Sequence, residues 1–431
     1  MTTTELRIPP TLPTDLATEL VATGSAIDPY PTYRRLRRDF PVAEFLDAVS
    51  LFRHNDVAAL LRYPQVSTDD RTSTLHQSQV ADDKLAPAYL SQLDDQSFLH
   101  RDPPEHTRLR KLVTTGFTPR RIAGLRPVVQ RTVDDSISTA AREGRLELVT
   151  ALAYPLPIEV ICELLGIPPE DRPFVASWPR TQLCCSFESG GLAAANKTDA
   201  DNRRVEADRI QQQLTDYFSM LVERRRAAPG DDLISALLAG REHGDRLSAE
   251  EINATLRLLF VAGYDNAVNL LGHGVLALLR HPDQWTALRD VPTHATGAVG
   301  EVLRYDAPFQ FTRRIALADL DIGGYHIRRG QHVIAWLAAA NRDPARFADP
   351  DRFDIRRGDR HPDNHHLALG SGIHACLGSR PARMEAEIVF ATLARRLVEP
   401  RLAADQPRYR TDVFRSLAEL PITVDGAREP A

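Results

Sequence analysis

Four groups of residues in this 431-residue chain have types and spacings that could do chemistry. Cys376 stands in the run LALGSGIHACLGSRPAR, Leu367 to Arg383, a loop punctuated by Gly370, Gly372 and Gly378 ahead of a helical apolar pattern from Met384 to Leu397. Glycines at that density let a backbone take positive φ and approach something flat and bulky. A cysteine at a loop-to-helix junction meets unpaired amides and the positive end of the helix dipole, which favours its thiolate. Taken alone, the motif reads first as a structural cysteine in a glycine turn. Asp265 and Asn266 sit in the middle of a long apolar run, where a carboxylate is costly unless it has a task or a partner such as an arginine. Glu301 and Arg304, three apart, share a helix face and by themselves read as an ordinary ion pair. His106 and Arg110, four apart, form a basic face that is either a solvated patch or an anion site.

Elimination among the cysteines points to Cys376. Cys162 lies on the apolar helical face of PLPIEVICELLG and reads as a packed thiol. The adjacent pair Cys184 and Cys185 could bridge only with strain and has no second pair with which to hold a metal. A thiolate is what a haem iron needs on its proximal side if dioxygen is to be split rather than carried.

The elements that must position these residues are mostly helical. The chain opens with a proline-rich segment, residues 1–27, that drapes over the surface. A short helix near Pro29 to Arg38 is followed by edge-strand patterns around Val42 to Leu51 and a helix from Asn55 to Tyr63, with Asn55 as N-cap. Ser67 to Leu99 is a long irregular stretch of the kind that forms functional lids. The proline pair at Pro103 and Pro104 opens the helix that carries His106 and Arg110. Val128 to Arg226 is mainly helical, and its later part, Arg204 to Arg226, reads as cover over a cavity. Residues 248 to 280 form the longest apolar helix, opened by a Ser248/Glu251 capping box and stopped by His281-Pro282. Pro308 ends the helix of Glu301 and Arg304. Alternating segments between Arg314 and Ala340 carry hairpin signals at Gly323-Gly324 and Arg329-Gly330. An arginine-rich meander, Asn341 to Arg357, then leads into the cysteine loop.

A length-based prior allows about two or three domains, yet no Ser/Gly-rich or charged linker divides the chain. The expectation is therefore one domain over 28–424, with a tail at 425–431. The formal net charge of −5 gives no reason to expect nucleic acid. No run approaches the ~18 apolar residues of a membrane span, and no basic n-region opens the chain. The reading is a cytoplasmic protein.

Taken together and in this order, the stretches resemble the cytochrome P450 superfamily in its soluble bacterial form, from about Pro29 to Val424. The cysteine loop resembles the family's F-G-x-G-x-H-x-C-L-G through Gly370, Gly372, His374, Cys376, Leu377 and Gly378. Glu301 and Arg304 resemble its E-x-x-R, Pro350-Asp351-Arg352-Phe353 its meander, and the HTRLR of His106 to Arg110 its propionate-contacting helix.

That resemblance implies a mainly α fold with a small β region, holding haem b between the long central helix and the cysteine-loop helix. It implies that Cys376 is the axial thiolate and metal ligand, and that His106, Arg110, Arg314 and His374 neutralise the haem propionates, with Ala262 and Gly370 against the cofactor. Asp265 and Asn266 would be the catalytic pair. Glu301 and Arg304 would brace the cysteine loop together with Arg352, or with Arg357 if the meander is aligned like many bacterial relatives. Thr255, Leu259, Phe309, Phe311 and Phe414 would line the pocket of a hydrophobic small molecule, a secondary metabolite by family analogy. Electrons would come from NAD(P)H through a ferredoxin reductase and a ferredoxin, since the chain carries neither a flavin domain nor an iron–sulfur cysteine set. Arg108, Lys111 and Arg380 would be docking contacts on a monomeric enzyme.

Three departures stand out. Leu369 takes the place of the family's Phe near the sulfur, and Pro381 replaces the Leu of its L-A-R ending. The central helix normally reads A-G-x-D/E-T-T, and here Ala262-Gly263-Tyr264-Asp265 is followed by Asn266 and Ala267. The acid is kept, while the threonine hydroxyl that helps deliver protons to dioxygen becomes a carboxamide, a poorer relay. Monooxygenation of a C–H or C=C bond is the first expectation. Coupling, cyclisation or desaturation is the alternative that Asn266 raises, and a non-catalytic haem binder is the third.

Overall fold

The computed structural model describes residues 7–23, 26–74, 97–178, 197–241, 244–360, 365–404, 406–410 and 415–429. Two compact units divide the chain, one made of Met1–Ser78, Ser136–Val149 and Asn269–Ala431, the other of Gln79–Asp135 and Thr150–Val268. The helices that bear on the site are, in chain order, α1 (Tyr30–Asp39), α2 (His54–Arg62), α3 (Glu105–Thr114), α4 (Pro155–Leu165), α5 (Lys197–Ala227), α6 (Ala249–Ala262), α7 (Asp265–Arg280), α8 (Ala295–Tyr305) and α9 (Ser379–Arg396). The fold is mainly α with a small β region, as the sequence pattern leads one to expect.

In the first unit, strands β1 (Val42–Phe45), β2 (Ala48–Leu51), β3 (Val66–Ser67), β4 (Thr312–Ala316) and β7 (His332–Ala335) make one sheet, ordered β1-β2-β7-β4-β3. Strands β1 and β2 form an antiparallel hairpin, β2 runs parallel to β7, and β7 pairs antiparallel with β4, with Arg314 opposite Val333. Between β4 and β7, β5 (Leu320–Ile322) and β6 (Tyr325–Ile327) turn through Gly323-Gly324 as expected. Apolar side chains of the sheet (Val49, Leu51, Val333, Ala335) and of α2 (Val57, Leu60, Leu61) close over one core that also takes in Leu367 at the start of the cysteine loop. Burying each of the larger members contributes about 1.5–3 kcal/mol, so the sheet and α2 form a packed seat for that loop.

The start of α2 departs from expectation. Its N-cap is Arg53, in extended conformation and with no side-chain cap, rather than Asn55. The first orphan amide, His54 N–H, donates instead to the Asp343 carboxylate at 2.9 Å. A group 289 residues away thus does what a local cap would have done.

The second unit holds α3 to α6. The capping box is present: Ser248 Oγ accepts from Glu251 N–H at 3.1 Å, and Glu251 returns the bond to Ser248 N–H at 2.8 Å. The single helix expected over 248–280 is in fact two, since α6 stops at Ala262 and α7 starts at Asp265. Gly263 makes the break possible, because a Cβ there would lie 2.7 Å from the Leu259 carbonyl oxygen. The consequence is chemical. Asp265 stands in the first turn of a new helix, where the dipole favours a carboxylate. Among the described residues, no helix is long and apolar enough to cross a membrane.

Candidate active site

The cysteine loop is built from its own backbone. Gly370 N–H donates to Leu367 O (2.8 Å), Cys376 N–H to Leu369 O (2.8 Å) and Ala375 N–H to Gly372 O (3.1 Å), with Gly370 and Gly372 both in the left-handed region at φ of 72° and 74°. Gly372 is required twice over. A Cβ there would stand 2.3 Å from the carbonyl oxygen of Leu61, at the end of α2, so the loop packs backbone to backbone on its seat. The turn delivers Cys376 as an exposed residue two positions before Gly378, the N-cap of α9.

Behind the loop lies a buried ionic knot. The Glu301 carboxylate accepts from Arg304 Nη2 and Nε, both at 2.8 Å, and from Arg357 Nε at 3.1 Å, with side-chain exposures of 3%, 2% and 7%. The third member is thus Arg357. Arg352, the other of the two expected candidates, is exposed and contributes only its carbonyl oxygen, which accepts from Arg304 (3.1 Å) and Arg357 (2.7 Å). Arg357 wins because it follows the turn through Asp354, whose own N–H donates to Glu301 at 2.9 Å. The knot reaches the cysteine loop through Asn341: Arg304 donates to the Asn341 carbonyl (3.1 Å), and Asn341 Oδ1 accepts Leu367 N–H (2.7 Å). Two cations against one carboxylate are tolerable in a buried site because the carbonyls of Ala348, Asp349, Pro350 and Arg352 point at the guanidiniums.

The other expected residues divide between the units. Arg314 lies on β4, buried, with Nη1 donating to the Arg313 carbonyl at 2.7 Å. His374 faces the Thr68 hydroxyl across 3.4 Å. Phe309 and Phe311 stack at 6.4 Å, the latter 5.0 Å from Trp336. Phe414 and the pair Cys184/Cys185 fall outside the described residues. In the second unit, His106 and Arg110 share α3, with His106 buried and edge-on to Phe98 at 6.4 Å. Burial first, then the Arg110 charge, pushes His106 down to about 4, so its ring is neutral at working pH. On α6, Thr255 and Leu259 are buried, whereas Ala262 is exposed at its end. Asn266 keeps its Oδ1 buried with no hydrogen-bond partner among the described residues. Arg108, expected at a docking face, is taken up within the unit by Glu251 and by Asp245 at 3.2 Å.

Some buried polar groups near the loop have no signal in the sequence. Asn341, fully buried, is one. Glu385 on α9 is another: it is 5% exposed, its Oε2 has no partner among the described residues, and burial pushes its carboxyl up to about 8. Burial thus favours its neutral form.

A model of the cytochrome P450 family matches residues 196–291 and 293–408. The chain is 40% identical to the cytochrome P450 monooxygenase PikC of Streptomyces venezuelae, over 94% of this chain and 93% of that protein. It is 35% identical to 6-deoxyerythronolide B hydroxylase of Saccharopolyspora erythraea, over 93% and 97%. The crystal structure of CYP164A2 from Mycobacterium smegmatis superposes with a TM-score of 0.82 at 37% identity, covering 95% of this chain and all of that one.

The chain is a cytochrome P450. Membership brings haem and a monooxygenase-type oxidoreductase activity on a small-molecule substrate, served by a redox partner. The donor set of this P450 fits the cofactor. Cys376 is exposed at the end of a backbone-bonded loop, whereas Cys162 is wholly buried, its thiol pushed up to about 12 by burial, and so unsuited to act as a thiolate.

Proposed function

We propose that this P450 inserts oxygen into a hydrophobic secondary metabolite, with Cys376 as the residue whose thiolate would hold haem b. Held through a thiolate, haem supplies the reductive activation of dioxygen and the transfer of one oxygen atom to substrate. The observation that carries the reading is the exposed Cys376 on a loop tied through Asn341 to the Glu301–Arg304–Arg357 knot. His106, Arg110, Arg314 and His374 are the groups that neutralise the propionates. A neutral His106 serves as a hydrogen-bond donor there, and the arginines supply charge. Ala262 and Gly370 leave room for the macrocycle by lacking bulk.

Asp265 accepts and passes protons at the start of α7, and Asn266 holds the water or substrate hydroxyl that stands in for the threonine of the family pattern. Thr255, Leu259, Phe309, Phe311 and Phe414 are the side chains assigned to the substrate. Similarity to the Saccharopolyspora relative, a hydroxylase of 6-deoxyerythronolide B, supports a bulky, largely apolar substrate class. NAD(P)H electrons arrive through a ferredoxin reductase and a ferredoxin at a monomeric, cytoplasmic enzyme. We read residues 28–424 as the catalytic domain.

The test has two stages. The reduced, carbon-monoxide-treated protein should show the thiolate-haem absorption band, and Cys376→Ser should abolish it; a band that survives the substitution refutes the ligand assignment. Turnover under labelled dioxygen, with a substrate found by its spectral shift, should then place label in the product. Unlabelled product would assign coupling or desaturation, and no turnover would assign a binder.

A further inference from the structure

We propose that Trp336 and Ser50 form a polar subsite for a carbonyl oxygen of the substrate, so that this P450 selects apolar molecules carrying a ketone or ester; the proposal rests on reading the substrate as hydrophobic and bound beside Phe309 and Phe311.

Strands β2 and β7 run parallel, with Ser50 beside Ile334. Side chains two apart on a strand share a face, so Ser50 and Phe52 of one strand lie on the same face as Ile334 and Trp336 of the other. The stacking of the Phe52 and Trp336 rings at 5.8 Å and 15° follows from that placement. Arg313 of β4, paired with Ile334, shares the face as well. At one end of it the polar groups are matched, His332 with Ser73 and Arg313 with Asp70. At the other end they are not. Trp336 is 5% exposed and Ser50 wholly buried, yet neither the indole Nε1 nor the serine Oγ has a hydrogen-bond partner among the described residues. Each such group is costly to bury unmatched, and two of them on one face of adjacent strands require an occupant.

The donors define its chemistry. An indole Nε1–H can only donate and a serine hydroxyl can donate too, so the occupant must accept. The walls are aromatic, with Phe311 at 5.0 Å and Tyr33 at 5.8 Å from Trp336, and the Tyr33 hydroxyl is already engaged with Gln310 Oε1 at 2.9 Å. A water held by the two donors would turn its own hydrogens to those rings, whereas buried water makes about three hydrogen bonds. A carbonyl oxygen has two lone pairs and nothing to donate, so it satisfies both groups and leaves none over. Phe311 stacks in turn on Phe309 at 6.4 Å, which joins the subsite to the side chains assigned to the substrate.

The haem-loaded protein is titrated, by its spectral shift, with cyclopentadecanone and pentadecanolide, each against the ring compound of the same size that lacks the carbonyl, cyclopentadecane and the macrocyclic ether. The carbonyl compounds should bind about tenfold more tightly than their parents. Trp336→Phe, which keeps a ring in place, and Ser50→Ala should each reduce that ratio about threefold, and the double variant should bring it close to unity. The chain has three tryptophans, so with nitrogen-15 in the indoles the signal lost in Trp336→Phe identifies Nε1–H of Trp336. That signal should move downfield with cyclopentadecanone and hold its place with cyclopentadecane. A carbonyl preference that survives both substitutions, or an indole signal unmoved by bound ketone, overturns the proposal. Where Trp336→Phe does not fold, an unchanged ratio in Ser50→Ala overturns it instead. Equal binding of carbonyl compounds and parents overturns it while leaving the hydrophobic-substrate reading in place, and binding of neither kind sinks both.

Discussion

Glu385 offers a quantitative probe of the packing behind the cysteine loop. Its carboxyl is raised by burial from 4.5 to about 8. The folded protein therefore binds a proton that the unfolded chain has released over the whole interval between those values. Stability from this group is fully present below pH 4.5 and falls by about 1.4 kcal/mol for each pH unit above it, levelling off past pH ~8. The penalty reaches ~3 kcal/mol at pH 7 and ~5 kcal/mol beyond pH 8. Glu385→Gln removes the titration while keeping the shape. Its amide brings donors that need partners, a cost of about 1–3 kcal/mol that does not vary with pH. The variant should thus be the less stable protein near pH 5 and gain on the wild type steadily as pH rises. Urea midpoints of the haem-loaded pair, measured from pH 5 to about 8.5, read that gain directly. Parallel curves would mean that the carboxyl is solvated or paired and that burial does not hold it neutral.

Other outcomes follow from the same geometry. Arg357→Ala should destabilise by about 3–5 kcal/mol, since it removes one cation from a buried pair, whereas Arg352→Ala should stay within about 0.5 kcal/mol; denaturant midpoints decide, and equal effects would break the assignment of Arg357 to the knot. Gly372→Ala should cost at least ~1–3 kcal/mol through its left-handed backbone, with the overlap on Leu61 O adding to that. Gly358→Ala, with nothing within 4 Å of the added carbon, is the neutral control in the same thermal unfolding series. Asn266→Thr should raise the fraction of NAD(P)H electrons recovered in product once a substrate is in hand; lower coupling would mean that the amide is matched to the substrate.

The local parts of the site were legible along the chain. A glycine-punctuated cysteine, a histidine and arginine four apart, and a glutamate and arginine three apart are all set by spacing within one loop or one helix, so backbone geometry alone places them. The capping box at Ser248 and the turn at Gly323-Gly324 were readable for the same reason, and so was the mainly helical character. What spacing cannot supply is the partner from elsewhere in the chain. Arg352 and Arg357 are equivalent in a string of letters, and only the turn through Asp354 decides which guanidinium reaches Glu301. Asn55 looks like a cap until Asp343 arrives to do the work. The break at Gly263 depends on how closely the Leu259 carbonyl approaches, a distance that a hydrophobic run does not encode. Arg383 is the arginine of the L-A-R ending, but no motif names His366 as its partner; their pairing exists because α9 and the cysteine loop fold onto each other. Sequence by itself determined which residues could do chemistry, because that follows from side-chain type and short-range periodicity. Tertiary structure decided which charges are buried and whom they face, because desolvation and Coulomb energy depend on distances between segments that the chain brings together only on folding.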